Sequence, residues 1–247
     1  MSQDAVVAVL GVLRRLKNTQ GVSVNNSALD FLRMWAGDHS PIIILRLSIA
    51  IQNHVADAQI AIANSSLTDE AKGGLAATLT GLSQCFSIEM LQQAISSFLP
   101  ALDSSITNFA IIASMMDVSF SQKTQDEIDE VISDIDSLIN DLNEREFDPS
   151  LRAALVRQLY MVTAMLRNAQ AVGTDAALSA FFDIILRKKD DDRSTLDPAI
   201  AEVRRSIWER IASIGDKLTK IASIAESGQK LLPYLEKIPS LLKHIPS

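Results

Sequence analysis

The densest group of ionisable side chains in this 247-residue sequence is acidic and spans residues 121–148. Ten carboxylates share the segment with only two bases, Lys123 and Arg145, so its net charge is −8. The acids are Asp126, Glu127, Asp129, Glu130, Asp134, Asp136, Asp141, Glu144, Glu146 and Asp148. Carboxylate oxygens are calcium ligands, but an EF-hand loop also needs a glycine at its sixth position. No glycine occurs from residue 118 to residue 170, so we expect no metal site here.

Apolar residues recur among these acids at helical spacing. The repeat consists of Ile128, Val131, Ile135, Leu138 and Leu142. Steps of three and four residues predict an amphipathic helix with a buried apolar seam. The acids then lie outside the seam, where they are solvated or face a partner protein. The predicted partner-binding residues are Asp126, Asp129, Glu130, Asp134, Asp136 and Asp141.

A second candidate for chemistry is the pair Arg33 and His39. Their Arg-x5-His spacing resembles the motif of the all-helical HEPN ribonucleases, which implies a nuclease site on a helix. Gly37 and Pro41 instead predict a loop at His39. Asp38, His39 and Ser40 are consecutive, so their side chains diverge and cannot form a catalytic relay. We therefore expect no nuclease activity.

Other catalytic motifs are absent from the sequence. It contains no Walker-type phosphate loop, no Gly-x-Gly-x-x-Gly turn and no Gly-x-Ser-x-Gly elbow. The single cysteine, Cys85, lies in an apolar segment and is predicted to be buried and unreactive. One cysteine forms neither an internal disulfide nor a thiolate zinc site. We predict a non-enzymatic protein without a cofactor.

The elements that position these residues are predicted to be helices throughout. Helical periods cover residues 3–18, 27–36, 41–64, 68–84, 87–99, 100–117, 121–146, 149–170, 174–189, 197–227 and 229–245. Ser27 and Thr68 are suited to cap helix starts, and Gly37 and Gly173 to end helices. The predicted fold is all-α, a multi-helix bundle of about ten helices with a long C-terminal helix.

The domain boundary is predicted near residues 190–196, within a charged loop that follows Leu186. Residues 1–190 would form a helical bundle. Residues 197–247 would form the long helix and a proline-punctuated tail packed on it, and a single domain is also admissible. The long helix carries its own apolar stripe, here called the C-terminal seam: Val203, Ile207, Ile211, Ile214, Leu218 and Ile221.

Part of the sequence resembles an arrangement seen in uncharacterised helical bacterial proteins. The resemblance covers about 70 residues: the acidic helix, the run from Asp148 to Arg152, Gly173, and a third apolar helix with Phe181 and Phe182. It involves no catalytic motif and implies no activity.

Composition limits the remaining functions. The pI near 5.0 and net charge of −7 disfavour nucleic-acid binding, which depends on Lys and Arg. Acidic Asp4 before the first apolar run reverses the charge order of a secretory signal, so we expect a cytoplasmic protein. No window of about 20 residues is free of charged or strongly polar groups, as a membrane-spanning helix requires.

Two functional hypotheses follow from these features. The favoured one is an interaction protein that binds a partner protein or a second copy through the acidic helix, the C-terminal seam or both. The alternative is a membrane-acting effector or α-helical pore-former that inserts residues 73–116. Those 44 residues contain only two charges, Glu89 and Asp103.

Overall fold

The computed structural model describes residues 3–37, 40–115, 122–144, 148–191 and 198–224. These residues form ten α-helices and one 3-10 turn, Ile95–Ser97. The α-helices are α1 (Gln3–Asn18), α2 (Ala28–Ala36), α3 (Pro41–Ala63), α4 (Asp69–Cys85), α5 (Leu102–Met115), α6 (Gln122–Glu144), α7 (Pro149–Arg167), α8 (Ala169–Val172), α9 (Thr174–Asp191) and α10 (Pro198–Ile224). Within the described ranges, β pairing is limited to one isolated bridge between Ser27 and Ala94. The predicted all-α fold is confirmed.

The chain forms two compact units. Unit 1 consists of Met1–Phe120 and Arg167–Gly173, and unit 2 consists of Ser121–Leu166 and Thr174–Ser247. Residues 192–197, which contain most of the predicted boundary, lie outside the described residues, as does the predicted tail after residue 224. The predicted division into 1–190 and 197–247 therefore stays a prediction.

Unit 1 is organised around α1 and α3, which pack against each other. α1 also packs against α5 and α8, and α3 against α2, α4 and α8. The largest fully buried side chains of its core include Phe31, Leu47, Ile51, Phe86 and Phe109. The predicted caps form at α2, where Ser27 and Asp30 build a reciprocal capping box and Gly37 ends the helix at φ +62°.

The helix predicted over residues 87–99 is wrong. The segment consists of turns followed by the 3-10 turn. Its backbone groups bond to the loop before α2 and the start of α2: Leu91 O accepts from Leu29 N (2.8 Å), and Ser96 N donates to Val24 O (2.7 Å). Backbone groups used in these tertiary bonds are not available to an i to i−4 helical ladder. The periodicity of the sequence does not report that competition.

In unit 2, α10 packs against α6 and α9. The predicted apolar seam of α6 is buried, from Ile128 to Leu142, and so are Ile207, Ile211, Ile214, Leu218 and Ile221 of the C-terminal seam.

The helix predicted over residues 149–170 ends earlier, at Arg167, and α8 begins after Asn168. The buried Asn168 side chain donates through Nδ2 to the Trp35 carbonyl (2.8 Å), a tertiary bond that helical periodicity cannot anticipate.

Two helical glycines of unit 1 have opposite surroundings. A Cβ on Gly11 of α1 would stand 2.0 Å from the carbonyl oxygen of Gln170 in α8. A Cβ on Gly73 of α4 would meet nothing within 4 Å. Gly11 therefore permits close helix packing, whereas Gly73 gives only backbone freedom in the unfolded chain.

We expect Gly11→Ala to lower the free energy of unfolding by about 1–3 kcal/mol, because backbone must move to admit the methyl group. Gly73→Ala is the matched control and should raise it by about 0.5–1 kcal/mol. Urea denaturation followed by circular dichroism measures both. Equal effects of the two substitutions would contradict the close approach of α1 and α8.

Candidate functional site

The acidic helix α6 has two solvent-facing sides that differ in their neighbours. One flank, with Glu130, Asp134, Ser137 and Asp141, faces α10. These residues are spaced by four, three and four positions, so they form one stripe beside the buried seam. We call this stripe the inner flank.

Lys217 of α10 binds two carboxylates of the inner flank at once. Its Nζ donates to Glu130 Oε1 (2.6 Å) and to Asp134 Oδ2 (2.7 Å). Hydrogen bonds to Asp134 and then Glu130 stabilise the ammonium form, which raises the Lys217 pKa above its ordinary value of 10.5. A raised folded-state pKa means that this contribution to stability is complete at neutral pH and is lost only as pH rises through that pKa.

Arg210 forms the second link between α6 and α10. It pairs with Asp141, and its Nη2 donates to Ser137 Oγ (3.0 Å). Arg210 and Lys217 are seven residues apart, as are Asp141 and Asp134, and the order is reversed along the two helices. These contacts therefore indicate an antiparallel α6–α10 pair.

The other side of α6 carries the outer acidic face. It consists of Asp126, Asp129, Ser133, Asp136, Asn140 and Glu144, all exposed. Their spacing places them on the side of the helix opposite the buried seam. Four of the six residues are acidic and none is basic. Asp129 accepts a hydrogen bond from Gln125 Nε2 (2.9 Å) on the same helix.

The structure thus divides the six predicted partner-binding residues into two groups. Glu130, Asp134 and Asp141 pair with α10, and Asp126, Asp129 and Asp136 lie on the outer acidic face. Sequence reasoning missed the division, although the matching seven-residue spacings of acids and bases could have revealed it. Whether any of the six binds a partner stays a prediction.

Asp148 at the start of α7 has a local capping role. Its Oδ1 accepts from Leu151 N (2.8 Å) and Ser150 Oγ (2.6 Å). The Ser150 hydrogen bond and then that of Leu151 lower the Asp148 pKa. One acid of the acidic segment therefore serves a helix N-terminus rather than the surface of α6.

A metal ion would need several His, Cys, Asp or Glu side chains close together. The described ranges contain no cluster of three or more His, Cys, Asp or Glu side chains able to hold a metal ion.

No match to this chain is found among known protein families, curated proteins or solved structures. Nor, among the described helices, does any combine the length and apolar character needed to cross a membrane.

The other residues considered for chemistry make contacts that serve the fold or are buried in it. Arg33 pairs with Asp30 on its own helix (3.6 Å), and His39 lies outside the described residues. His54 Nε2 donates to the Val172 carbonyl (2.7 Å), a bond between α3 and α8. Cys85 is fully buried, and burial raises its thiol pKa to about 12.

The two sides of α6 should respond differently to neutralisation. We expect Glu130→Gln with Asp134→Asn to lower the free energy of unfolding by about 1 kcal/mol, since both lose Lys217 as an ionic partner. Asp129→Asn with Asp136→Asn changes the charge equally and should stay within about 0.5 kcal/mol. Thermal and urea unfolding at low and high salt measure the difference, which should shrink as salt screens the pairs. Equal losses in the two double variants would contradict the division.

Cys85 should be chemically inert in the folded protein, because a buried thiol of raised pKa contains almost no thiolate at neutral pH. Its reaction with Ellman's reagent at pH 8 should be at least about 100-fold slower in native protein than in urea-unfolded protein. Rapid labelling of the native protein would show that the thiol is accessible and would reopen a nucleophilic role.

Proposed function

We propose that this chain is a non-enzymatic interaction protein whose outer acidic face binds a basic surface of a partner protein. The observation that carries the proposal is the asymmetry of α6. Its inner flank is matched by Arg210 and Lys217, while the outer acidic face beside it presents Asp126, Asp129, Asp136 and Glu144 and contains no basic residue.

The outer acidic face is a single-sign strip on the surface of α6. Asp126 and Asp129 stand three residues apart, and like charges at this spacing repel by about 0.2–0.5 kcal/mol. The face runs from residue 126 to residue 144, about 27 Å at 1.5 Å per residue. A single-sign strip of this length attracts a basic surface from a distance and orients it on approach. Association with a cationic partner would offset the repulsion.

The C-terminal seam does not add to the proposal. Its residues from Ile207 to Ile221 are buried by helices of unit 2, so this part of the seam serves folding. Residues 225–247, which continue the apolar pattern in sequence, lie outside the described residues. A binding role for that tail stays a prediction. We therefore assign the partner contact to α6.

The alternative, insertion of residues 73–116 into a membrane, also stays a prediction. In the described part, α4 and α5 bury Leu79, Leu82, Phe109 and Ile112. The exposed positions of α4 after Lys72 are occupied by Gly, Ala, Thr and Gln. Small and uncharged polar residues account for the low charge, and nothing in these helices favours insertion over an ordinary packed role.

A cytoplasmic location is part of the proposal. Its support is the single, buried Cys85, which suits a reducing compartment. A partner with a basic surface would have to be present in the same compartment.

The partner should be found by photo-crosslinking in the native cell. A photoreactive residue at Ser133, in the middle of the outer acidic face, is compared with one at Ser179, an exposed position of α9 in the same unit. We expect a specific protein adduct from position 133 and not from position 179. Equal adducts at both positions, or none, would contradict the proposal.

The identified partner then tests the charge mechanism. Asp129→Asn, Asp136→Asn and Glu144→Gln together should weaken its binding at least tenfold and flatten its salt dependence, with Tm unchanged or slightly raised. The matched control neutralises three exposed acids of unit 1, Asp69, Glu70 and Glu89, and should bind like the original protein. Equal weakening by both triple variants would indicate a nonspecific effect of net charge.

A further inference from the structure

Helix α3 is apolar on two faces, and only one of them is buried. Its core face contains Leu47, Ile51 and Val55. On the opposite side, four large apolar residues are exposed. They are Ile42 (46% exposed), Leu45 (41%), Ile49 (48%) and Ile60 (57%). We call these four residues the α3 stripe.

The α3 stripe follows one line along the helix surface. At about 100° per residue, its four members fall within an arc of about 60°. The positions between Ile49 and Ile60 on the same line are Asn53 and Ala56, both exposed and neither charged. Single exposed apolar residues are normal on protein surfaces, but the largest apolar patch of a monomer, about 300–600 Å², is often functional, and the stripe extends about 27 Å along the helix.

The spacing of the α3 stripe is nearly symmetric about Ile51. Ile42 and Ile60 lie nine residues to either side, Ile49 and Asn53 two residues, and Leu45 and Ala56 six and five residues. A two-fold interface needs such self-complementarity, because the same patch meets itself in reverse. Two antiparallel copies of α3 would place Ile42 of one against Ile60 of the other.

Charges beside the stripe have the same symmetry. Arg46 and Asp57 lie on one flank of α3, five residues before and six residues after Ile51. When two helices pack antiparallel, equal flanks face each other, so Arg46 of each copy would approach Asp57 of the other. Both residues also interact within their own chain, and each has several hydrogen-bonding sites. A parallel pair would set this flank against the side with Gln52 and Gln59, which carries no charge.

We propose that a second copy of this chain docks on the α3 stripe, antiparallel, through apolar contacts and two Arg46–Asp57 ion pairs. A helix face about 27 Å long and about 10 Å wide covers roughly 300 Å² per copy, well under the roughly 800 Å² of a stable interface. The dimer is therefore weak and reversible. The inference uses a different surface from the outer acidic face and does not rest on the function proposed above.

Sedimentation velocity of the full chain from 5 to 500 µM tests the dimer. We expect a reversible monomer–dimer equilibrium, and Ile49→Asp should raise its Kd at least tenfold. Ile88→Asp is the matched control, since Ile88 is 68% exposed and lies outside α3, and it should dimerise like the original protein. Asp129→Asn with Asp136→Asn should also leave the dimer unchanged, which separates this test from that of α6. A monomer throughout the range would overturn the proposal.

Charge exchange tests the register and direction. Arg46→Glu and Asp57→Lys should each raise the Kd at least threefold, and the double variant should recover most of that loss. A folding defect would instead add in the double variant and appear as a lower Tm. A dimer indifferent to all three variants would overturn the antiparallel register. Flotation with neutral phosphatidylcholine vesicles that requires Ile49, without dimerisation, would assign the stripe to a lipid surface and overturn the proposal.

Discussion

Unit 1 depends on the backbone of a short segment that comes late in the sequence. α8 has only four residues, so helical hydrogen bonding leaves most of its carbonyl groups unsatisfied. His54 of α3 donates to the Val172 carbonyl of α8 (2.7 Å), and Arg15 of α1 donates to the carbonyl of Arg167, the last residue of α7 (3.1 Å). Gly11 leaves room for the Gln170 carbonyl, because any larger residue would collide with it. Residues of α1 and α3 therefore accommodate the backbone of this one segment. Burying its polar groups without these hydrogen-bond partners would be costly.

The same contacts explain why neither unit is one continuous stretch of chain. Residues 167–173 belong to unit 1, whereas the residues before and after them belong to unit 2. Within unit 1, the Trp35 side chain and backbone connect this segment to α1 and to Phe86. Trp35 stacks on Phe86, lies under the Arg15 guanidinium (5.3 Å) and donates through Nε1 to Thr19 (2.9 Å), while its carbonyl accepts from Asn168. Burial lowers the Arg15 pKa, as expected for a guanidinium removed from water. Such nonlocal contacts carry a loop-closure entropy that the folding of unit 1 must offset.

Sequence reasoning succeeds here where one local rule decides the structure. The seam of α6 and the caps at Ser27 and Gly37 follow from periodicity and capping chemistry, and they form as predicted. It fails where distant backbone bonds compete with a helix, as at Leu91 and Asn168. It also fails to separate the two faces of α3, because apolar residues on two opposite faces of a helix do not reveal which face is covered. The inner flank of α6 was predictable in principle, since Asp134 and Asp141 have the same separation as Arg210 and Lys217.

The net negative charge of this protein is concentrated in one segment, which the total composition does not show. The net charge of the chain is −7, and residues 121–148 alone carry −8, so the remainder is almost neutral. Within that segment, two basic residues of α10 match three carboxylates of the inner flank, and Asp148 caps α7. What is left of the excess lies largely on the outer acidic face. Physiological salt screens charges beyond about 8 Å, so this excess acts on surfaces that come close to α6 and hardly elsewhere. The position of the charge, more than its amount, is what supports the proposal that a basic partner binds to α6.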